Sequence, residues 1–241
     1  MNEFEHFCTE HIIMLISIAV IITAGLLIVR KVSDRKAIFA ARVLSVIVLL
    51  GELLQDILLI SEGGNIIDFL PLHLCNLGIF VNLAASFSRG RVQSFFAEIA
   101  VVLLMPGAVA ALLFPDWNYR PFWSYLPLLC FFTHSLLVFI PLLFLVRKKA
   151  RISFRHFWYS YLFLLIVVPP IYLLNQHAGV NYMFLMFPPE SSPLEWIYSL
   201  TGEKYYLCGL LVLITVILLV EYVIYGVIRF LKVQAKNQPE D

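Results

Sequence analysis

Charged residues are scarce in this 241-residue sequence, in which Asp, Glu, Lys and Arg together make up 14% of the chain. A soluble domain of ordinary composition carries about 25% charged residues, so the scarcity argues against a soluble globular protein. Apolar residues account for 61% of the chain and gather in long runs. Runs of about 18 residues or more can cross the roughly 30 Å of hydrocarbon in a bilayer, which indicates an integral membrane protein.

Cysteine is sparse as well, and its four residues form no CxxC pair and no metal-ligand spacing. A disulfide framework or a zinc site is therefore not expected, and no metal or cofactor is predicted. Internal repeats are also lacking. Since no long polar stretch separates the apolar runs, we expect one membrane domain that covers residues 1–241.

Seven apolar runs predict an all-α polytopic fold, a bundle of seven transmembrane helices. We expect the spans near residues 11–29, 37–60, 69–87, 95–114, 123–146, 157–174 and 205–230.

The basic residues favour one orientation for this bundle. Fourteen of the 17 Lys and Arg residues lie in four segments that a seven-span chain places on one side, namely residues 30–36, 89–91, 147–155 and 229–236. The positive-inside rule then puts the N-terminus outside and the C-terminus in the cytoplasm. Basic residues spread along one membrane face give no support for a nucleic-acid partner, and the sequence does not indicate an oligomeric state.

Ionisable and amide side chains inside membrane spans are costly, and by default they suggest function. Glu52 and Asp56 are four residues apart on one face of the second span, although hydrogen bonding between helices is an alternative role for them. Glu98, near the cytoplasmic interface, is expected to be solvated. Glu221 on the seventh span does not share the depth of the remaining polar groups. Those groups lie in the outer half of the membrane, with His134 near its middle, and they predict one cavity that opens to the outer leaflet, lined by Glu52, Cys75, His134 and Asn181.

A cysteine nucleophile needs a base or a positive neighbour to form its thiolate. His73 lies two residues from Cys75, nearly on the opposite face of a helix. Pro71 fits a first helical turn, which would put Cys75 in the second turn, where the helix dipole is weak. His134 is then the base available at mid-depth. Cys130 precedes it by one helical turn, so the spacing leaves both Cys75 and Cys130 open as nucleophiles.

Three segments resemble a known group of proteins: Pro-Leu-His-Leu-Cys-Asn at 71–76, Phe-Phe-Thr-His-Ser at 131–135 and Val-Asn-Tyr-Met-Phe-Leu at 180–185. They resemble the YwaF-like bacterial membrane proteins, which are similar to the eukaryotic transmembrane-protein-164 family, and the resemblance covers nearly the whole chain. It implies a bacterial plasma-membrane protein. The eukaryotic family further implies acyl transfer between phospholipids through an acyl-cysteine, with Cys75 as the acylated residue and His134 as the membrane histidine.

The leading hypothesis is a membrane-embedded lipid-modifying enzyme, a phospholipid or lysophospholipid acyltransferase whose partners are membrane lipids. Cys75 would attack the ester and His134 would transfer protons. The candidate oxyanion or substrate contacts are His73, Asn76, Asn181, Tyr182, Glu52 and Asp56. The alternative hypotheses are a transporter or channel-like protein with Glu52, Asp56 and His134 on a proton or cation path, and a membrane sensor or accessory protein without catalysis.

Overall fold

The computed structural model describes residues 5–116 and 120–237, with side chains up to Leu231. Within these residues the chain is helical and contains no strand. Seven helices follow one another along the chain: α1 at Thr9–Lys31, α2 at Asp34–Ser61, α3 at Leu74–Phe87, α4 at Gly90–Leu113, α5 at Tyr125–Val146, α6 at Phe157–Ala178 and α7 at Leu194–Asn237.

Six of these helices are long and apolar enough to cross a membrane, and α3 is the exception. Its 14 residues rise about 21 Å, which is less than the hydrocarbon thickness of a bilayer. The all-helical membrane fold is confirmed at this level, whereas the count of seven transmembrane spans and their orientation stay predictions.

The third predicted span is wrong at its start, because α3 begins at Leu74 and not near residue 69. Pro71 offers no N–H, and its ring disfavours helical backbone at the residue before it. The segment 62–73 instead contains a short 3₁₀ turn, Ile66–Asp68, in which the Asn65 side chain accepts a hydrogen bond from the Ile67 N–H. His73 then serves as the N-cap residue of α3.

Helix α4 forms the centre of the bundle and packs against α3 and α5. It contains a π turn at Ala100–Leu104, and every residue of that turn is buried. The turn ends just before Pro106, which has no backbone N–H to donate. The irregular hydrogen bonding of α4 therefore lies beside this proline.

Helices α1 and α7 lie at the periphery and expose rows of large apolar side chains, among them Ile21, Val212 and Val223. Such surfaces suit contact with lipid tails. Helix α7 is interrupted at Gly202, whose φ of 65° is left-handed. A second, smaller apolar cluster joins α7 to the connection after α6, and it contains Ile171, Tyr182, Leu185, Tyr206 and Leu210.

The prediction that Glu98 is solvated is wrong, because only 1% of this residue is exposed. Its carboxylate accepts hydrogen bonds from the Ser153 N–H at 3.2 Å and the Tyr222 hydroxyl at 3.1 Å, and it lies 2.7 Å from Nδ1 of His156. The connection between α5 and α6 therefore folds back over the start of α4 and buries the carboxylate against α7.

Candidate functional site

One cavity of about 1160 Å³ lies among helices α2 to α7. It is larger than the roughly 300–1,000 Å³ typical of small-molecule pockets, and most of its wall is apolar. The second half of α2, the beginning of α3, the middle of α5 and the connections before α3, after α4 and before α7 bring polar side chains to it. These polar lining residues are Glu52, Gln55, Asp56, Asp68, His73, Cys75, Asn76, Asp116, Thr133, His134 and Ser192.

Cys75 is the second residue of α3, so it lies in the first helical turn and not in the second as predicted. The first hydrogen bond of the helix runs from the Leu77 N–H to the His73 carbonyl at 3.0 Å. The N–H groups of Leu74, Cys75 and Asn76 have no acceptor among the residues that the structure describes. They lie at the positive end of the helix dipole, next to the Cys75 thiol on the cavity wall.

Asn76 joins α3 to α2, because its Nδ2 donates a hydrogen bond to Oε1 of Glu52. Glu52 is nine residues before the end of α2, so the contact places the start of α3 well inside the bundle. Irregular backbone at such depth is tolerated where it is buried in protein or lines a cavity. The segment before α3 meets this condition, since Asp68, Leu70 and His73 all line the cavity.

His134 is held by its own helix. Its Nδ1 lies 2.8 Å from the Cys130 carbonyl oxygen, one turn earlier on α5, and 3.4 Å from the Cys130 sulfur. A carbonyl oxygen only accepts, so Nδ1 carries the proton and Nε2 of the neutral ring keeps a lone pair. No described residue contacts that Nε2 through a hydrogen bond, which leaves it free to accept a proton from a group in the cavity.

His73 has the opposite arrangement. The backbone N–H of Met183 donates to Nδ1 of His73 at 3.3 Å, so the neutral ring carries its proton on Nε2. The ring packs against Tyr182 and Phe184, with ring centroids 5.2 Å away in both cases. His73 and Cys75 were predicted to point away from each other, but the non-helical backbone at His73 lets both line the cavity.

Asn181 and Tyr182 lie outside the cavity wall, and the prediction that Asn181 lines the cavity is wrong. The Asn181 amide binds the backbone of Met186 and Phe187. The Tyr182 hydroxyl accepts from the Leu70 N–H at 2.9 Å and donates to the Ile67 carbonyl. Burial raises the pKa of this phenol, which keeps it protonated and able to donate. Both side chains therefore hold the cavity wall and do not form its surface.

Sequence reasoning missed Asp116 and Thr133 as lining residues. The Thr133 hydroxyl is buried and has no hydrogen-bond partner among the described residues. The position of Thr133 next to His134 was the available signal, and Asp116 follows α4 at the end of the bundle where the other polar groups lie. Within the described part of the chain no cluster of His, Cys, Asp or Glu side chains is arranged to hold a metal ion.

A family model, that of the TMEM164 family, matches residues 6–222, and the chain belongs to this family. No curated protein and no solved structure matches it significantly. The predicted relation to the transmembrane-protein-164 family is confirmed, while the YwaF-like and bacterial affiliation stays a prediction.

Proposed function

We propose that this member of the TMEM164 family is a membrane-embedded acyltransferase that moves an acyl chain between phospholipids through a thioester on Cys75. One observation carries the proposal: the Cys75 thiol, at a helix N-terminus, shares an apolar cavity with His134 and His73. Nδ1 of each histidine is hydrogen-bonded, and the two remaining Nε2 atoms have opposite hydrogen-bonding roles. One ring offers a lone pair and the other offers an N–H. These are the groups that deprotonation of a thiol and stabilisation of an oxyanion require.

In the first half-reaction, Nε2 of His134 takes the proton of the Cys75 thiol, and the thiolate attacks the ester carbonyl carbon of the donor lipid. The N–H groups at the start of α3 and Nε2–H of His73 donate to the oxyanion. The tetrahedral intermediate collapses with cleavage of the carbon–oxygen bond. His134 then returns its proton to the departing alkoxide, which leaves as a lysophospholipid.

In the second half-reaction, the hydroxyl of an acceptor lysophospholipid gives its proton to His134 and attacks the thioester carbonyl. The carbon–sulfur bond breaks, the new ester leaves, and the Cys75 thiolate recovers the proton. Water in place of the acceptor would give hydrolysis, so the apolar wall of the cavity favours transfer by limiting the entry of water.

The shape of the cavity suits a lipid whose reacting ester sits at one end. The polar groups lie on the second half of α2, at the start of α3, after α4 and at the middle of α5, and the apolar wall continues along α6 and α7 through Leu164, Leu211 and Ile217. We place the acyl chains along this wall. With the N-terminus outside, the polar end lies in the outer half of a bacterial plasma membrane, near the ester region of that leaflet.

Intact-protein mass spectrometry tests the proposal. Purified protein in lipid nanodiscs is incubated with a phospholipid that carries an isotope-labelled acyl chain. We expect a mass increase of one labelled acyl group that hydroxylamine removes, together with labelled product after a lysophospholipid is added. If the wild-type protein forms neither the acyl adduct nor the labelled product, the proposal is contradicted.

The carboxylates on the cavity wall favour a second candidate, a path for protons or cations. Glu52, Asp56, Asp68 and Asp116 line the cavity, and none of its described lining residues is Lys or Arg. A proton flux measured in liposomes that falls in Glu52→Gln, with no acyl adduct in any protein, would favour this candidate over the acyltransferase.

A further inference from the structure

The connection between α6 and α7 contains a turn, Tyr182–Phe184, with an unfavourable backbone. Met183 has φ 57° and Phe184 has φ 52°, so two consecutive residues with large side chains occupy the left-handed region. Residues other than glycine rarely adopt this conformation, because Cβ approaches the following carbonyl oxygen. Such a turn persists only where surrounding contacts determine it, and outliers of this kind cluster at functional sites.

Asn175, near the end of α6, supplies the contact that determines the start of the turn. Only 1% of this residue is exposed. Its Oδ1 accepts from the Tyr182 N–H and its Nδ2 donates to the Tyr182 carbonyl, both at 2.9 Å. The amide thus holds both backbone groups of Tyr182 and fixes the peptide plane that follows it. The N–H of that plane belongs to Met183.

The Met183 N–H is the group that donates to Nδ1 of His73. Two rings of the same turn, Tyr182 and Phe184, pack against the His73 ring and set its orientation. Met183 and Phe184 also line the cavity, and three contacts of the turn hold the one imidazole: the Met183 N–H and the rings of Tyr182 and Phe184.

We propose that Asn175 is a positioning residue, which acts through the Tyr182–Phe184 turn to hold His73 as an Nε2–H donor facing the reacting carbonyl. The proposal rests on the acyltransferase function, in which that N–H stabilises the oxyanion. In a neutral imidazole, a hydrogen bond donated to one nitrogen leaves the proton on the other nitrogen. In His73 the Met183 N–H donates to Nδ1, so the proton is on Nε2. Loss of the Asn175 amide lets the peptide plane rotate and frees both the tautomer and the ring.

The matched comparison is between Asn175→Ala and Tyr182→Phe. The first removes the amide that orients the Met183 N–H. The second removes only the hydroxyl that binds Leu70 and Ile67, and it keeps the ring beside His73. Both variants lose two hydrogen bonds of the same turn, so a comparable loss of thermal stability is expected in each. Asn175→Asp keeps an acceptor for the Tyr182 N–H and is measured in parallel in case Asn175→Ala does not fold.

The measurement is nitrogen NMR of ¹⁵N-histidine-labelled full-length protein in nanodiscs, with the His73 signals assigned by their loss in His73→Gln. The wild type should show a protonated Nε2 and a bare Nδ1 at His73. Asn175→Ala should give a mixture of tautomers, with kcat for acyl transfer lower by about 10- to 100-fold and KM little changed. Tyr182→Phe should keep the wild-type spectrum and most of kcat.

A protonated Nδ1 at His73 in the wild type would overturn the positioning role and leave the acyltransferase function intact. An unchanged spectrum and kcat in Asn175→Ala would overturn it as well, as would an equal fall of kcat in Tyr182→Phe. If no protein forms the acyl adduct, the proposed function fails. In that case the spectra of the wild type and Asn175→Ala still show whether Asn175 holds His73 as an Nε2–H donor.

Discussion

Nδ1 of His134 donates to the carbonyl oxygen of Cys130 at 2.8 Å, one turn earlier on the same helix. The Cys130 sulfur lies 3.4 Å from that nitrogen, yet the nitrogen has no lone pair left to accept the thiol proton. Spacing alone allowed Cys130 and His134 to act as a pair. The observed bond aims the basic nitrogen of His134 elsewhere, and this favours Cys75 as the nucleophile.

The two cysteines can be separated by matched substitutions. Cys75→Ser should abolish the acyl adduct and lower transfer by about 1,000-fold or more, because a hydroxyl is a much weaker acid than a thiol and His134 would activate it poorly. Cys130→Ser should keep most of the activity. Both replacements are nearly isosteric, so gel-filtration profiles should match the wild type. Loss of activity in Cys130→Ser alone would move the nucleophile to α5.

His134→Ala should lower the rate of Cys75 acylation by about 10²- to 10⁴-fold, the usual contribution of a general base. Raising the pH should restore part of the acylation rate in the variant, because hydroxide can then deprotonate the thiol without the imidazole. Stopped reactions followed by intact mass across a pH series measure this. An acylation rate equal to the wild type at every pH would remove His134 from the mechanism.

Much of the fold could be predicted because apolar runs of membrane length are a strong signal in the sequence. Every predicted span overlaps a helix, but α3 begins five residues after its predicted start at 69, and α7 begins at Leu194, eleven residues before its predicted start at 205. Apolar content does not distinguish a helical turn from irregular backbone inside a bundle, so Leu70, Pro71 and Leu72 were assigned to a span. The rule that proline suits a first helical turn favoured the same error.

The site could be predicted in part, since polar side chains inside apolar runs are conspicuous. Six of the predicted residues line the cavity, as expected from their shared depth: Glu52, Asp56, His73, Cys75, Asn76 and His134. Asn181 could not be placed correctly, because its amide partners are backbone groups of a turn. Tyr-Met-Phe carries no sequence signal for left-handed backbone, so the link from Asn175 through Met183 to His73 was visible only in the structure.

The proposed topology can be checked by labelling single cysteines with a membrane-impermeant maleimide in intact cells, in a variant in which Cys8, Cys75, Cys130 and Cys208 are all replaced. Cysteines introduced at Glu62 and Ser191 should react from outside. Lys148→Cys should react only after permeabilisation. These expected labelling patterns follow from the positive-inside rule and from the alternation of seven spans. Equal labelling at Ser191 and Lys148 would contradict the span count, and the proposed depth of the cavity with it.

Stability should depend on Glu98 far more than its predicted solvation implied. Glu98→Ala removes the acceptor shared by Ser153, His156 and Tyr222, and it leaves the hydroxyl of the buried Tyr222 without that acceptor. Loss of one partner from such a buried cluster costs about 3 kcal/mol, which corresponds to a fall in Tm of roughly 6–12 °C for a chain of this size. Thermal unfolding in detergent micelles, followed by circular dichroism, measures it.

Glu221→Ala is the matched control, since Glu221 lies half-buried on α7 and makes no hydrogen bond with a described residue. Its Tm should fall by much less. Glu98 does not line the cavity, so acyl transfer by Glu98→Ala should stay near the wild-type rate at temperatures well below its Tm. Equal Tm values for the two variants would mean that the connection between α5 and α6 does not close over Glu98. A loss of transfer at low temperature would instead connect this cluster to the reaction through the buried π turn of α4, which begins two residues after Glu98 and contributes Leu103 to the cavity wall.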